Sequence, residues 1–231
     1  FRSFFPKTTL IGYQGFTLYR QFMPKHPSQA EYLYKVIPNI IVVIGNAYKK
    51  IRTEFCKKIK IQTGPALRFE HLYSYKYVTK KKYDILLSLN LDLEVSKKII
   101  ESVFATEWFK NGNKIFIKSH PFLSLSKIMP NNEMPSNLHE VKGDFFSIAK
   151  NSKIVISSGI SSSIVESFFC GCAVLVPYTN KHDYYNFKQL KISSDNYKIC
   201  ENAQQLNNGI NHFLSEEEKP KKKRIKKINI L

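Results

Sequence analysis

The stretch from Asn151 to Pro177 constrains the fold of this chain more than any other. Ile154–Ile156 is a β-branched apolar run too short for a helix and suited to a strand buried on both faces. A Ser/Gly-rich turn follows, then an amphipathic segment carrying Glu166, then a second buried run, Ala173–Val176. A strand that opens through serine and glycine onto a helix start sets hydroxyls and backbone N–H groups at the positive end of the helix dipole, so an anion is expected there. Upstream, Lys118-Ser119-His120-Pro121 follows another apolar run, Ile115–Ile117. In a parallel α/β sheet both loops emerge on the carboxyl edge of the strands, where such sheets bind ligands. Neighbouring parallel strands are therefore expected at 115–117, 154–156 and 173–176, with His120 and Ser161 opening on one edge.

The rest of the chain alternates in the same way. Strands are expected at Thr9–Tyr13, Ile40–Ile44, Ile59–Gln62, Asp84–Leu89, Lys114–Lys118, His139–Val141 and Tyr197–Cys200. Helices are expected at Ala47–Cys56, with Tyr48, Ile51 and Phe55 on one face, and at Asn202–Leu214. Asp92 is placed to cap a helix with Val95, Ile99, Ile100, Val103 and Phe104 as its inward stripe, and Asp144 to cap Phe145–Lys150. Alternating strands and helices with right-handed crossovers predict an α/β fold, a doubly wound, Rossmann-like parallel sheet with helices on both faces. Residues 1–78 are expected to form the end of a preceding α/β domain and 79–215 the main domain, joined by the charged linker Thr79–Lys82. Residues 216–231 are expected to be a charged tail without a fixed structure, because like-charge blocks repel.

A net charge of +18 raises the possibility of a nucleic-acid partner. Lys, Ile, Asn, Tyr and Phe are all abundant, as AT-rich coding produces without selection for any partner. Seven of the 36 basic residues lie between Lys219 and Lys227. That tail is expected to contact anionic lipid peripherally rather than nucleic acid. Cys56, Cys170, Cys172 and Cys200 show no metal-ligand spacing; Cys170 and Cys172, at an apolar helix-to-strand corner, are expected to be buried thiols, and a reducing cytoplasm is expected, with no metal and no cofactor. There is neither an apolar run long enough to span a bilayer nor a signal-peptide pattern at Phe1, and the chain is expected to be the carboxyl portion of a longer protein.

The Lys-x-His-Pro loop, the Ser-Ser and Ser-Ser-Ser turn, the helix with Glu166 and the Gly-x-Ala-Val-Leu run together resemble the donor half of GT-B glycosyltransferases of bacterial surface polysaccharides. The pattern is most similar to enzymes using CMP-activated acidic sugars, the sialyltransferase and polysialyltransferase type. Ile11-Gly-Tyr-Gln-Gly15, Pro27-Ser-Gln29, Val43-Ile-Gly45 and Thr63-Gly-Pro65 are similar to the linker side of the same proteins, although Gly15 stands where that family usually has His. The resemblance implies a nucleotide-sugar donor held by Lys118, His120, Pro121, Ser157, Ser158, Gly159, Ser161, Ser162 and Ser163. Glu166 would accept from the ribose hydroxyls, and His120 would be the catalytic group that stabilises the departing phosphate. Gln14, Tyr19 and Arg20 would face the acceptor, a glycan or glycolipid, with the general base on the other domain. The Ser-rich turn lacks the closing glycine of a hydrolase elbow, and neither a P-loop nor a dinucleotide fingerprint occurs. Three readings stay open beside this one: a CDP-glycerol or polyol phosphotransferase, a nucleotide-sugar epimerase of the same architecture, and a non-catalytic basic protein that binds membrane or RNA.

Overall fold

The computed structural model describes residues 7–15, 26–76, 78–130, 134–159, 161–179 and 192–215. They fall into two units that divide between Ser74 and Tyr75.

In the first unit, β1 (Ile11–Gln14), β2 (Ile40–Ile44) and β3 (Lys60–Gly64) form a parallel sheet in that order. A short helix, α1 (Gln29–Leu33), lies between β1 and β2, and α2 (Gly45–Phe55) crosses from β2 to β3. A 3-10 turn at Leu67–Phe69 and the single turn α3 (Glu70–Tyr73) follow. Tyr48 and Ile51 of α2 are buried as their spacing predicts; Phe55 is only half-buried, and the third buried residue of α2 is Arg52. Tyr13 ties β1 to the loop after β3, its hydroxyl donating to the Pro65 carbonyl at 2.7 Å and accepting from Leu67 N at 3.1 Å.

The second unit runs β4 (Tyr83–Ser88), α4 (Leu93–Phe104), α5 (Glu107–Lys110), β5 (Ile115–Lys118), α6 (Leu125–Ile128), β6 (Leu138–Glu140), α7 (Phe145–Ala149), β7 (Ser152–Ser157), α8 (Ser163–Phe169), β8 (Ala173–Pro177), β9 (Tyr197–Cys200) and α9 (Ala203–Ser215). All six strands are parallel, in the order β6-β5-β4-β7-β8-β9. Numbered within the unit, that is 3-2-1-4-5-6, the doubly wound order. β7 and β8 are neighbours as expected, but β5 is not beside β7: β4 lies between them. The second unit starts in the middle of its sheet at β4, winds outward, returns across β4 and winds out the other way.

Side chains alternate across the sheet, as a period of two requires. Ile85, Leu87, Ile115, Ile117, Ile154 and Ile156 share one buried cluster with Ile99, Val103, Ile210 and Phe213 of α4 and α9. Leu86 and Val155 point the other way, against Ile148 and Ala149 of α7 and Cys170 at the end of α8. Helices therefore cover both faces, which is why the inner strands carry unbroken apolar runs such as Ile85–Leu87, Ile154–Ile156 and Ala173–Val176. Asp92 caps α4 by accepting from Val95 N at 3.0 Å, and Asp144 caps α7 by accepting from Ser147 N at 2.8 Å. All four cysteines are buried and none forms a disulfide.

Gly209 of α9 sits directly over β8, where an added Cβ would lie 2.8 Å from Leu175 Cδ2. Gly209→Ala gains helix propensity but must push Leu175 out of a fully buried position. A net loss of about 1–2 kcal/mol is expected, read as a lower urea midpoint with an unchanged m-value.

The expected linker Thr79–Lys82 is corrected at Lys81. This residue is 9 % exposed, and its Nζ donates to the carbonyls of Lys150 and Cys170, each at 2.7 Å. Those carbonyls end α7 and α8, where the helix dipoles attract a cation. Among the described residues no helix is long and apolar enough to cross a membrane. The tail, residues 216–231, lies outside the described residues.

Candidate functional site

Ser88, Lys118 and Ser157 are register partners across β5, β4 and β7. They continue the inward row Phe116–Leu86–Val155 by one repeat of the pleat, at the carboxyl ends of the three central strands. Two strand spacings put the Lys118 and Ser157 backbones roughly 10 Å apart. The winding direction reverses between β4 and β7, and open α/β sheets of this order form their ligand crevice at such a point.

Four hydroxyls meet there. Ser163 Oγ, on the first residue of α8, lies 3.4 Å from Ser88 Oγ, 3.3 Å from Ser157 Oγ and 2.6 Å from Ser161 Oγ. Ser161 Oγ also accepts from Ser163 N at 3.3 Å. A hydroxyl has one proton and two lone pairs, so within such a hub each proton can be redirected toward an incoming oxyanion.

The serines divide by exposure. Ser157 and Ser158 are wholly buried, while Ser161, Ser162 and Ser163 are half-buried. Ser157 props the hub, and Ser158 accepts from Asn90 Nδ2 at 2.9 Å, while the three half-buried serines are the ones open to a ligand. Gly159 is buried in the same turn. Ser162 is the N-cap of α8 but makes no side-chain capping bond. α8 has only seven residues, so the anion affinity expected of its amino end falls chiefly on the hydroxyls. Glu166 lies half-buried one turn into α8.

Asn90 and Ser88 are functional candidates that the apolar pattern of β4 does not single out. Asn90 lies two residues past the end of β4, and its backbone is clamped by Ser96 of α4, whose Oγ accepts from Asn90 N at 3.1 Å and donates to Asn90 O at 2.9 Å. The side chain thereby bridges the β4 and β7 loops across the reversal point. A polar residue just past an apolar strand, followed by a helix cap, is the signal that could have pointed to it.

On the β5 side, Lys118 Nζ donates to the Ser119 carbonyl at 3.0 Å. Ser119 Oγ donates to Glu140 Oε1 at 3.0 Å. The His120 loop turns tightly, with Leu123 N donating to His120 O at 3.0 Å and Phe122 N to His120 Nδ1 at 3.2 Å. Nδ1 is thus an acceptor, and neutral His120 carries its proton on Nε2. Burial, and secondarily the Lys118 charge, hold its pKa below the ordinary 6.5, so the imidazole is neutral at pH 7. Pro121 is exposed. The His120 and Ser161 loops do open on the same edge, as expected, with the β4 loop between them.

In the first unit, Gln14 ends β1 and is buried. Its Oε1 accepts from two nitrogens of Arg52, one of them Nε at 2.7 Å. Burial lowers the Arg52 pKa to about 10, with Glu31 opposing the shift. The Gln14 oxygen is thus turned onto Arg52 inside the first unit. Arg20 and Tyr19 lie outside the described residues. Among the described residues no group of three His, Cys, Asp or Glu side chains is placed to hold a metal ion.

No protein-family model matches the chain, and no curated protein matches it either. Solved structures do. A Listeria monocytogenes protein assigned as a UDP-N-acetylglucosamine 2-epimerase superposes with a TM-score of 0.58 and 14% identity, over 98% of this chain and 63% of its own. The kitacinnamycin glycotransferase gives 0.56 and 13%, over 86% and 52%. The glycosyltransferase VinC, solved in complex with dTDP, gives 0.50 and 9%, over 86% and 69%. The chain spans about half to two-thirds of the length of these structures. At such identities the likeness is one of architecture: the chain has the Rossmann-like parallel-sheet fold found in GT-B glycosyltransferases.

Proposed function

We propose that the second unit binds the nucleotide-sugar donor of a glycosyltransferase that builds a surface glycan such as capsule or lipopolysaccharide. The observation that carries this reading is the hydroxyl hub at the reversal point, flanked by Lys118 and His120. As the glycosidic bond breaks, negative charge grows on the departing phosphate. Ser161, Ser162 and Ser163, the Lys118 ammonium and His120 Nε2–H are donors available before the reaction begins, so their reorganisation costs little. The donor is proposed to be a CMP-activated acidic sugar. Glu166 is assigned to the ribose, and the acceptor and its general base to a part of the enzyme other than this unit. The enzyme is placed in the cytoplasm, with the basic tail contacting the inner face of the membrane.

Calorimetric titration with CMP, CDP and UDP, without added divalent metal, tests the assignment. A cytidine nucleotide should bind best; a preference for UDP or a strict metal requirement overturns the CMP reading. An epimerase is the second reading, favoured by the superposition over 98% of this chain. Epimerisation of UDP-N-acetylglucosamine without any acceptor would establish it.

The neutral tautomer of His120 gives a separate check. Its folded pKa lies below that of the unfolded chain, so its contribution to stability is complete above about pH 6.5 and is lost as pH falls through the lowered value. Its role as a neutral donor follows the same window. Nucleotide affinity should be flat from pH 7 to 9. His120→Gln, which keeps an N–H at the tip, should stay within about threefold of the parent, while His120→Ala should lose roughly tenfold or more.

A further inference from the structure

α1 is defined at both ends yet buries none of its side chains. At its start Ser28 and Glu31 form a complete capping box: Glu31 N donates to Ser28 Oγ at 3.1 Å, and Ser28 N donates to Glu31 Oε2 at 2.7 Å. At its end Val36 N donates to Glu31 O and Lys35 N to Tyr32 O, both at 3.1 Å, the paired bonds of a Schellman motif. The left-handed position of that motif is held by Lys35, with φ of 56°, where glycine is usual. The motif normally packs the residue after the turn against the last helical turn. Here that residue, Val36, is 71 % exposed, and its counterpart in the helix is Glu31.

A five-residue helix is too short to hold itself in water, so its burial partner is the open question. Leu33 is 62 % and Tyr34 81 % exposed, and Tyr32 is exposed beside them. Tyr32 and Leu33 line a groove of about 440 Å³ at the amino edge of β2 and β3, together with Lys35, Pro38, Lys58 and Lys60 among others, and Tyr34 and Val36 follow them in the chain outside that lining. No carboxylate lines this groove, and Glu31 is turned onto Ser28.

We infer that this edge of the first unit docks on an anionic membrane surface. Leu33, Tyr34 and Val36 enter the headgroup boundary, Tyr32 lies at its level, and Lys35, Lys58 and Lys60 face lipid phosphates. Leucine and valine offer a glycan or a free phosphate no hydrogen bond; they gain only where water leaves. Exposed tyrosines with lysines around them match the amphipathic boundary of a bilayer. The lysine rim with no opposing carboxylate selects a negative surface, and selects it less as salt rises. This surface is separate from the tail and independent of the donor assignment.

Flotation of the full chain with phosphatidylcholine vesicles, with and without 30 mol % phosphatidylglycerol, tests the inference. To set the tail aside, the seven basic residues of 219–227 are changed to Gln in every protein compared. Binding to the anionic vesicles should persist in that background. It should fall at least tenfold with Tyr32→Ser, Leu33→Ser, Tyr34→Ser and Val36→Ser combined, and likewise with Lys35→Glu, Lys58→Glu and Lys60→Glu combined, with the circular dichroism melt unchanged. Binding that disappears with the tail charges alone, or survives both sets of changes, overturns the inference. Displacement from vesicles by millimolar glycerol phosphate would show a free-phosphate site instead, and a concentration-dependent dimer abolished by the serine set would show a protein interface; either overturns it.

Discussion

Lys81→Ala is expected to lower the stability of the second unit by about 2–4 kcal/mol. The substitution leaves the carbonyls of Lys150 and Cys170 without their shared donor at the point where two helix C-termini converge. Each orphaned buried acceptor costs about 1–3 kcal/mol, partly offset because the ammonium no longer has to be held out of water. Lys81→Met separates packing from hydrogen bonding, since the thioether fills nearly the same space and supplies no donor. If the two bonds dominate, Met should recover less than half of the loss seen with Ala; full recovery by Met would show that the stem's packing is what matters. Denaturant unfolding of the three proteins decides between these outcomes.

Lys81 also shows where reading a sequence stops. Within Thr79–Lys82 it is one lysine among three, and nothing local marks it off. Its partners lie 69 and 89 residues further on. The strands were legible for the opposite reason. Strands buried in a parallel sheet demand unbroken apolar runs, so Ile40–Ile44 matches its observed bounds and Ile154–Ile156 and Ala173–Val176 lie within β7 and β8, and Asp92 and Asp144 cap helices because the bond they make is to a residue three positions away. Strand order is not local. A run such as Ile115–Ile117 states that it is buried but not beside what, and β4, which precedes it in the chain, proved to separate it from β7. The one-turn helices α5 and α6 are too short for any periodicity to show. The site was half legible: the Ser-rich turn and the His120 loop stand out by composition, whereas the roles of Ser88 and Asn90 appear only once β4 is placed between them.

Ser163 is where the donor assignment is most exposed to a single change. Ser163→Ala removes the oxygen shared by Ser88, Ser157 and Ser161 and leaves the buried Ser157 hydroxyl without its hub partner. Two consequences should separate. The stability loss should be about 1 kcal/mol, because one methyl-sized side chain is kept and Ser161 can still turn toward solvent. The affinity for a nucleotide should fall much further, by roughly 10–100-fold, because a hydrogen bond to an anionic phosphate is worth about 1.5–3 kcal/mol and the neighbouring hydroxyls lose their orientation as well. Ser163→Thr keeps the oxygen and should retain binding within about tenfold if the β-branch is accommodated at the first position of α8. Asn90→Ala, which frees the β4 loop from Ser158 without touching the hub, should weaken binding by less than Ser163→Ala and should not add to it fully, since both act on one connected network. If Ser163→Ala destabilises the fold as predicted and nucleotide affinity stays at the parent level, the hub is a structural knot at the start of α8, and the phosphate has to be sought elsewhere along the carboxyl edge.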